Sequence, residues 1–312
     1  MNYRIEVLKI FLIGVLLLNG NIIYAQQDPL NSMYVFDKAL INPAFSGSSD
    51  WAVGTIKIRE QYTGLEGNPS TQTVNFHTPI QRRTMGVGMK IINDEIGFVK
   101  TLNAALVYSY HLNFAGGKLS FGLEGGIMRR QIDYSNLILA QINDKVFPLE
   151  TQSATVPDLS WGTYFQKKQF YAGISNYHLI KKPFNDSEVS DSKLFNHIYF
   201  LAGNVFKINK EWALEASTLV KYIAAAPIQI DLNSILYYKE RVGVGVQYRT
   251  NDAFVAFFKV NILDNLRIAY AYDMVTSELS SYATGSHELI ISYGIKLPPP
   301  PSQKEVHPRF YF

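Results

Sequence analysis

Arg241-Val242-Gly243-Val244-Gly245-Val246-Gln247-Tyr248-Arg249 sorts its side chains by parity: Val242, Val244, Val246 and Tyr248 on one side, Arg241, Gly243, Gly245, Gln247 and Arg249 on the other. A period of two is the spacing of a strand whose two faces meet different surroundings. The same sorting recurs outward along the chain. Ile228, Ile230, Leu232 and Leu236 oppose Gln229, Asp231 and Asn233, and Leu266, Ile268, Tyr270 and Tyr272 oppose Arg267, Ala269, Ala271 and Asp273. Further back, Leu119, Phe121, Leu123 and Ile127 oppose Ser120, Gly122, Glu124 and Gly126, and Trp212, Leu214, Ala216 and Val220 oppose Glu211, Glu215, Ser217 and Lys221. No long stretch spaces its apolar residues three and four apart, as a helix would.

The pattern places strands near residues 51–62, 71–80, 84–93, 98–112, 118–131, 158–167, 169–179, 195–208, 210–222, 226–238, 241–250, 253–263, 265–275 and 286–297. That is an all-β chain of about fourteen strands, with ends good to a few residues. Many reach the roughly 9–11 residues that a tilted strand needs to cross hydrocarbon. Short connections centre on Gln81-Arg82-Arg83, Ala115-Gly116-Gly117, Lys167-Lys168, Asn209-Lys210, Lys239-Glu240 and Asp264-Asn265, and longer ones lie mostly between them, Thr250-Asn251-Asp252 excepted. Outer-membrane barrels put short turns on the periplasmic side and long loops outside. Tyr62, Tyr110, Tyr222, Tyr237, Tyr248 and Tyr272 stand near strand ends, where an aromatic belt would meet the membrane interface. A soluble sandwich also alternates, so parity alone leaves lipid and core open as the apolar surroundings. Strand length, even count and connection lengths favour a transmembrane antiparallel β-barrel of the outer membrane, whose closure pairs every backbone group.

Composition agrees. The 312 residues carry a net charge of only +3 with 47% hydrophobic residues, which excludes most disordered chains and argues against a nucleic-acid partner. There is no cysteine, so thiolate nucleophiles, disulfides and a lipoprotein anchor are excluded. Arg4 and Lys9 precede the apolar run Ile10 to Leu18, and Ile23-Tyr24-Ala25 follows. This is the layout of a secretory signal peptide over residues 1–25, cleaved after Ala25, its apolar run far short of the roughly 20 residues of a membrane helix. An N-terminal segment 26–50, a barrel 51–297 and a Pro-rich periplasmic tail 298–312 complete the expected organisation.

Three motifs stand apart from the alternation. The first runs through Gln27-Asp28-Pro29, Tyr34-Val35-Phe36 and Asn42-Pro43-Ala44-Phe45-Ser46-Gly47. The second is Arg59-x-Gln61-Tyr62-x-Gly64-x-x-Gly67-x-Pro69-x-Thr71, and the third comprises Tyr272-Asp273, Thr276, Leu279, Tyr282 and Gly285-Ser286-His287-Glu288. Their order resembles that of the PorP/SprF family of type IX secretion membrane proteins, although the family opening Phe-Ser-Gln-Tyr-Met-Phe-Asn-Pro is replaced by Leu30-Asn31-Ser32-Met33-Tyr34-Val35-Phe36-Asp37-Lys38. The resemblance implies an outer-membrane barrel that helps deliver or hold secreted cargo, adhesin or gliding proteins among them, at the cell surface. It also implies partners in the secretion machinery, in some members linked to peptidoglycan, and it does not imply a catalyst; no cofactor is expected, and the six histidines are scattered without a metal-binding spacing such as His-Glu-x-x-His. The motif positions are the candidate partner-binding or structural residues, with long loops 132–157, 180–194 and 276–285 as the partner surface.

Asn42-Pro43 restricts the chain to an extended turn, which suits a segment across the periplasmic mouth or inside the lumen as well as the start of a strand. Adjacent His287 and Glu288 must point to opposite faces. A cross-strand pairing of Asp273 with His287 is the expected structural hydrogen bond. Two other functions compete: a small-molecule pore, since about fourteen strands enclose more space than strand side chains fill, and a hydrolase using Ser286, His287 and Asp273, which lacks a Gly-x-Ser-x-Gly elbow.

Overall fold

The computed structural model describes residues 29–133, 151–180, 194–224 and 226–298. Fourteen strands follow one another: β1 (Trp51–Glu60), β2 (Ser70–Ile80), β3 (Met85–Ile96), β4 (Val99–Phe114), β5 (Gly117–Ile132), β6 (Gln152–Lys167), β7 (Phe170–Tyr177), β8 (His197–Lys207), β9 (Trp212–Ile223), β10 (Gln229–Tyr238), β11 (Val242–Arg249), β12 (Ala253–Asn261), β13 (Leu266–Val275) and β14 (Ser286–Lys296). Each pairs antiparallel with its sequence neighbours, and β14 returns to β1 in register from Trp51 opposite Lys296 to Glu60 opposite His287. The sheet closes, so no ladder of backbone donors is left open at an edge.

Parity sets what each side chain meets. On β11, Val244 and Val246 are 57% and 61% exposed on the outer surface, whereas Gln247 and Arg249 are 1% and 0% exposed in the lumen. On β1, Ile56 and Ile58 face out while Thr55, Lys57 and Arg59 are buried within. Tyr110, Tyr222 and Tyr248 lie on the outer face. Tyr237 does not join that belt: it has the lumenal parity of Ile235, and its hydroxyl donates to Glu215 inside the barrel. Nor is the lumen uniformly polar, because Leu219, Ile235, Val255, Phe257 and Ile290 form an apolar cluster with residues of the N-terminal segment.

The short connections share one rim with the start of β1 and the end of β14. Ala115 and Gly116 (φ 50° and 73°) and Lys239 and Glu240 (φ 49° and 57°) are paired left-handed residues, the geometry that matches the right-handed twist of a hairpin. The opposite rim carries the longer links, but two departures from expectation occur there. β3 and β4 pair out to Ile96 opposite Val99 and turn tightly over Gly97-Phe98. β6 begins at Gln152, so the expected loop 132–157 is shorter and Pro157 lies within a strand, opposite Ile127 of β5. Proline is tolerated because residue 157 shares the parity of Leu159, whose carbonyl accepts from Leu179 on the β7 side; β7 ends at Tyr177, so no ladder partner awaits the missing N–H. The expected signal peptide 1–25, most of the tail 298–312 and most of the loops 132–157 and 180–194 lie outside the described residues.

Candidate functional site

The segment Pro29 to Asp50 is folded inside the barrel. It descends from the long-loop half of the lumen, through two single-turn helices, Lys38–Leu40 and Pro43–Phe45, to the short-turn rim where β1 begins. Asn42 is extended (φ −152°, ψ 110°), as a residue before proline must be. Its side-chain oxygen accepts from Ala44 N, and its amide donates to the carbonyls of Thr163 (2.9 Å) and Ile174 (3.3 Å) on β6 and β7. The wall makes room by omitting side chains. A Cβ at Gly122 would overlap Pro43 and Ala44, and one at Gly162 would overlap Asn42. Gly47, at φ +67°, turns the segment against Gly86. Lower-wall contacts include Lys38, whose ammonium donates to Val35 O, lies 3.6 Å from Glu215 and sits over the Tyr171 ring. Burial holds Lys38 below the ordinary lysine range, with Glu215 opposing that shift.

At the upper end the plug is held by ions. Ser32 Oγ donates to Asp273 (2.7 Å) and accepts from Arg59 Nη1 (3.0 Å) and Arg249 Nη2 (2.8 Å). The backbone N–H groups of Ser32 and Met33 donate to the two oxygens of Glu288 (3.0 and 3.1 Å). Arg59 also pairs with Asp273 (2.7 Å) and Glu288 (2.8 Å), and Arg249 with Asp231, Asp252 and Asp273 (3.1–3.2 Å). Both guanidiniums are essentially excluded from solvent, at 1% and 0% exposure. Buried charge is affordable only when paired and hydrogen-bonded, and here each guanidinium faces at least two carboxylates. Four strands, β1, β11, β13 and β14, therefore converge on one serine of the plug, and β10 joins them through Asp231 on Arg249.

A family model described as type IX secretion system membrane protein PorP/SprF matches residues 23–293. The chain belongs to the PorP/SprF family. No curated protein matches it. Among solved structures, the PorP/SprF chain is similar to the Ralstonia pickettii toluene transporter TbuX (10% identity, 83% of this chain and 93% of that one, TM-score 0.50) and to the CymD monoaromatic hydrocarbon channel (11%, 88% and 95%, 0.52). These likenesses show the fold, an outer-membrane-type barrel.

Of the residues singled out in the PorP/SprF sequence, the structure brings Arg59, Asp273 and Glu288 together around the plug, and Asn42, Pro43 and Gly47 along it. Ser286 faces inward at the rim, where its hydroxyl accepts from Tyr62 N (3.1 Å). Gln61 N bonds Pro69 O, and Gly64, Gly67 and Gly285 take positive φ in the rim loops. Pro29 lines a cavity beside the plug, and Asp28 lies outside the described residues. His287 is excluded from this group. The register sets Asp273 opposite Ser286 and Tyr272 opposite His287, so His287 faces out, 2.6 Å from Tyr270 Oη, and the expected Asp273–His287 bond does not form. Ser286, His287 and Asp273 accordingly assemble no triad. Ser32, Arg249 and Asp231 were missed as site residues. Parity had placed Arg249 and Asp231 on polar faces, but nothing local says that polar faces of distant strands meet.

Proposed function

We propose that this chain is an outer-membrane component of the type IX secretion system that holds or delivers secreted surface proteins by protein–protein binding. The observation that carries this reading, beside family membership, is the plug: a lumen crossed by its own N-terminal segment and locked by buried ion pairs suits a platform better than a diffusive pore. With the short-turn rim in the periplasm, as in other barrels of this kind, the long-loop rim is the cargo-facing surface. Its described loop at 276–285 presents Leu279 and Tyr282, the latter 73% exposed. Apolar and aromatic anchors of this sort dominate protein interfaces. Affinity purification of the tagged chain from outer membranes tests the reading; recovery of secreted surface proteins or secretion machinery supports it, and a preparation free of both counts against it.

A small-molecule pore is the second reading, favoured by a cavity of about 450 Å³ beside the plug and by the barrel relatives named above as transporters and channels. Planar-bilayer recording separates the two, since a pore gives steady current from the intact chain and a plugged platform conducts only after residues 26–47 are deleted.

A further inference from the structure

Between the plug and the wall formed by β1 to β8 lies a cavity of about 450 Å³, within the size range of small-ligand sites. It reaches toward the long-loop rim at Ile96 and Val99. Its sides are largely apolar, through Leu40 and Ile41 of the plug and Ile92, Met128 and Leu194 of the barrel. Its polar groups are unevenly matched. Lys90 is paired with Glu124 at 2.7 Å, and Thr71 donates to Asp94 at 2.6 Å. Lys57 on β1 and Thr73 on β2 are direct cross-strand partners, each 2% exposed, and both line the cavity. Among the described residues the Lys57 ammonium has no hydrogen bond or ion pair, and Thr73 Oγ1 has no partner. Three carboxylates act on Lys57 electrostatically, Glu288, Asp37 and Asp94, and each accepts a hydrogen bond elsewhere, from Arg59, Asn75 and Thr71 respectively.

A buried, unpaired ammonium is costly, and a neighbouring hydroxyl without an acceptor adds to the cost. One anion removes both. We propose that this cavity binds an amphipathic carboxylate, its two oxygens held by Lys57 and Thr73 and its apolar body lying along Ile92, Met128 and Leu194. One ammonium beside one hydroxyl suits the two oxygens of a carboxylate, and the apolar walls favour a hydrocarbon tail over a small hydrated ion. This goes beyond the secretion reading and does not depend on it.

The test is calorimetric titration of the full purified chain in a neutral detergent with decanoate, decylammonium, decanol and acetate. Saturable binding of one decanoate per chain is expected, with decanol, decylammonium and acetate at least about tenfold weaker, the scale of a charge-assisted hydrogen bond. Lys57→Met should weaken decanoate to the level of decanol while leaving decanol unchanged, and Lys57→Arg should retain it. If Lys57→Met does not fold, as judged by gel migration before and after heating, Thr73→Val supplies the comparison: a selective loss for decanoate is expected there too. Equal affinity for decanoate and decanol, acetate binding as tightly as decanoate, or no binding at all would overturn the proposal.

Discussion

Ser32 shows how much one small side chain can gather. Its hydroxyl touches two guanidiniums and a carboxylate that belong to β1, β11 and β13, so the energy of the site lies in mutual compensation rather than in any pair. Arg249→Leu leaves Asp231, Asp252 and Asp273 without their shared cation inside the lumen. Breaking a buried pair from one side costs about 3–5 kcal/mol, and this variant should convert from the fast- to the slow-migrating gel form at a clearly lower temperature. Ser32→Ala, which removes a hydroxyl but no charge, should cost about 1–3 kcal/mol and shift the same transition less. Lys38 makes a prediction about pH. Its seated form has a lowered affinity for protons, so the released plug binds more of them at any pH between the seated value and the ordinary lysine value of about 10.4. Plug seating should therefore strengthen as pH rises through that window, measured as falling conductance, and Lys38→Met should flatten the dependence.

At the scale of elements, strands were legible, and the plug only as one of several alternatives for residues 26–50. Alternation such as Val242, Val244, Val246 against Gly243, Gly245, Gln247 is a local property, and a closed sheet with lipid on one side preserves it along every strand. Where surroundings change along a strand the signal fades, as at Pro157, whose apparent breaking role depends on whether β7 reaches that far. Tyr237 was misplaced because its position near a strand end was read before its parity. The plug has neither period; Asn42-Pro43 announced a turn, but its place in the lumen depends on Gly122, Gly162 and Gly173 lying across from it, which no window of sequence contains. Gly122→Leu should unseat the plug through overlap with Pro43 and Ala44 while sparing the strands. Unchanged far-ultraviolet circular dichroism with raised bilayer conductance is the expected result; unchanged conductance would mean that the segment repacks around the added side chain.

For the whole molecule, the outward apolar face makes detergent or lipid a requirement. A chain that exposes Leu106 at 72% and Val246 at 61% across a continuous surface should aggregate when detergent is removed. A truncation tests the run Arg309-Phe310-Tyr311-Phe312 at this scale. Removing residues 302–312 should leave membrane insertion intact if the tail docks a partner, and abolish it if the insertion machinery reads those aromatics; fractionation of outer membranes decides.

The bond from Ser32 N to Glu288 joins positions 256 apart in the chain. Contacts of such separation wait for nearly all the intervening polypeptide to find its place. The lock on the plug therefore cannot engage while the final strand is missing, and a half-built cylinder stays unlatched. Firm retention of the amino-terminal segment becomes a certificate of completed assembly, one that a partner sensing only the state of the mouth could read.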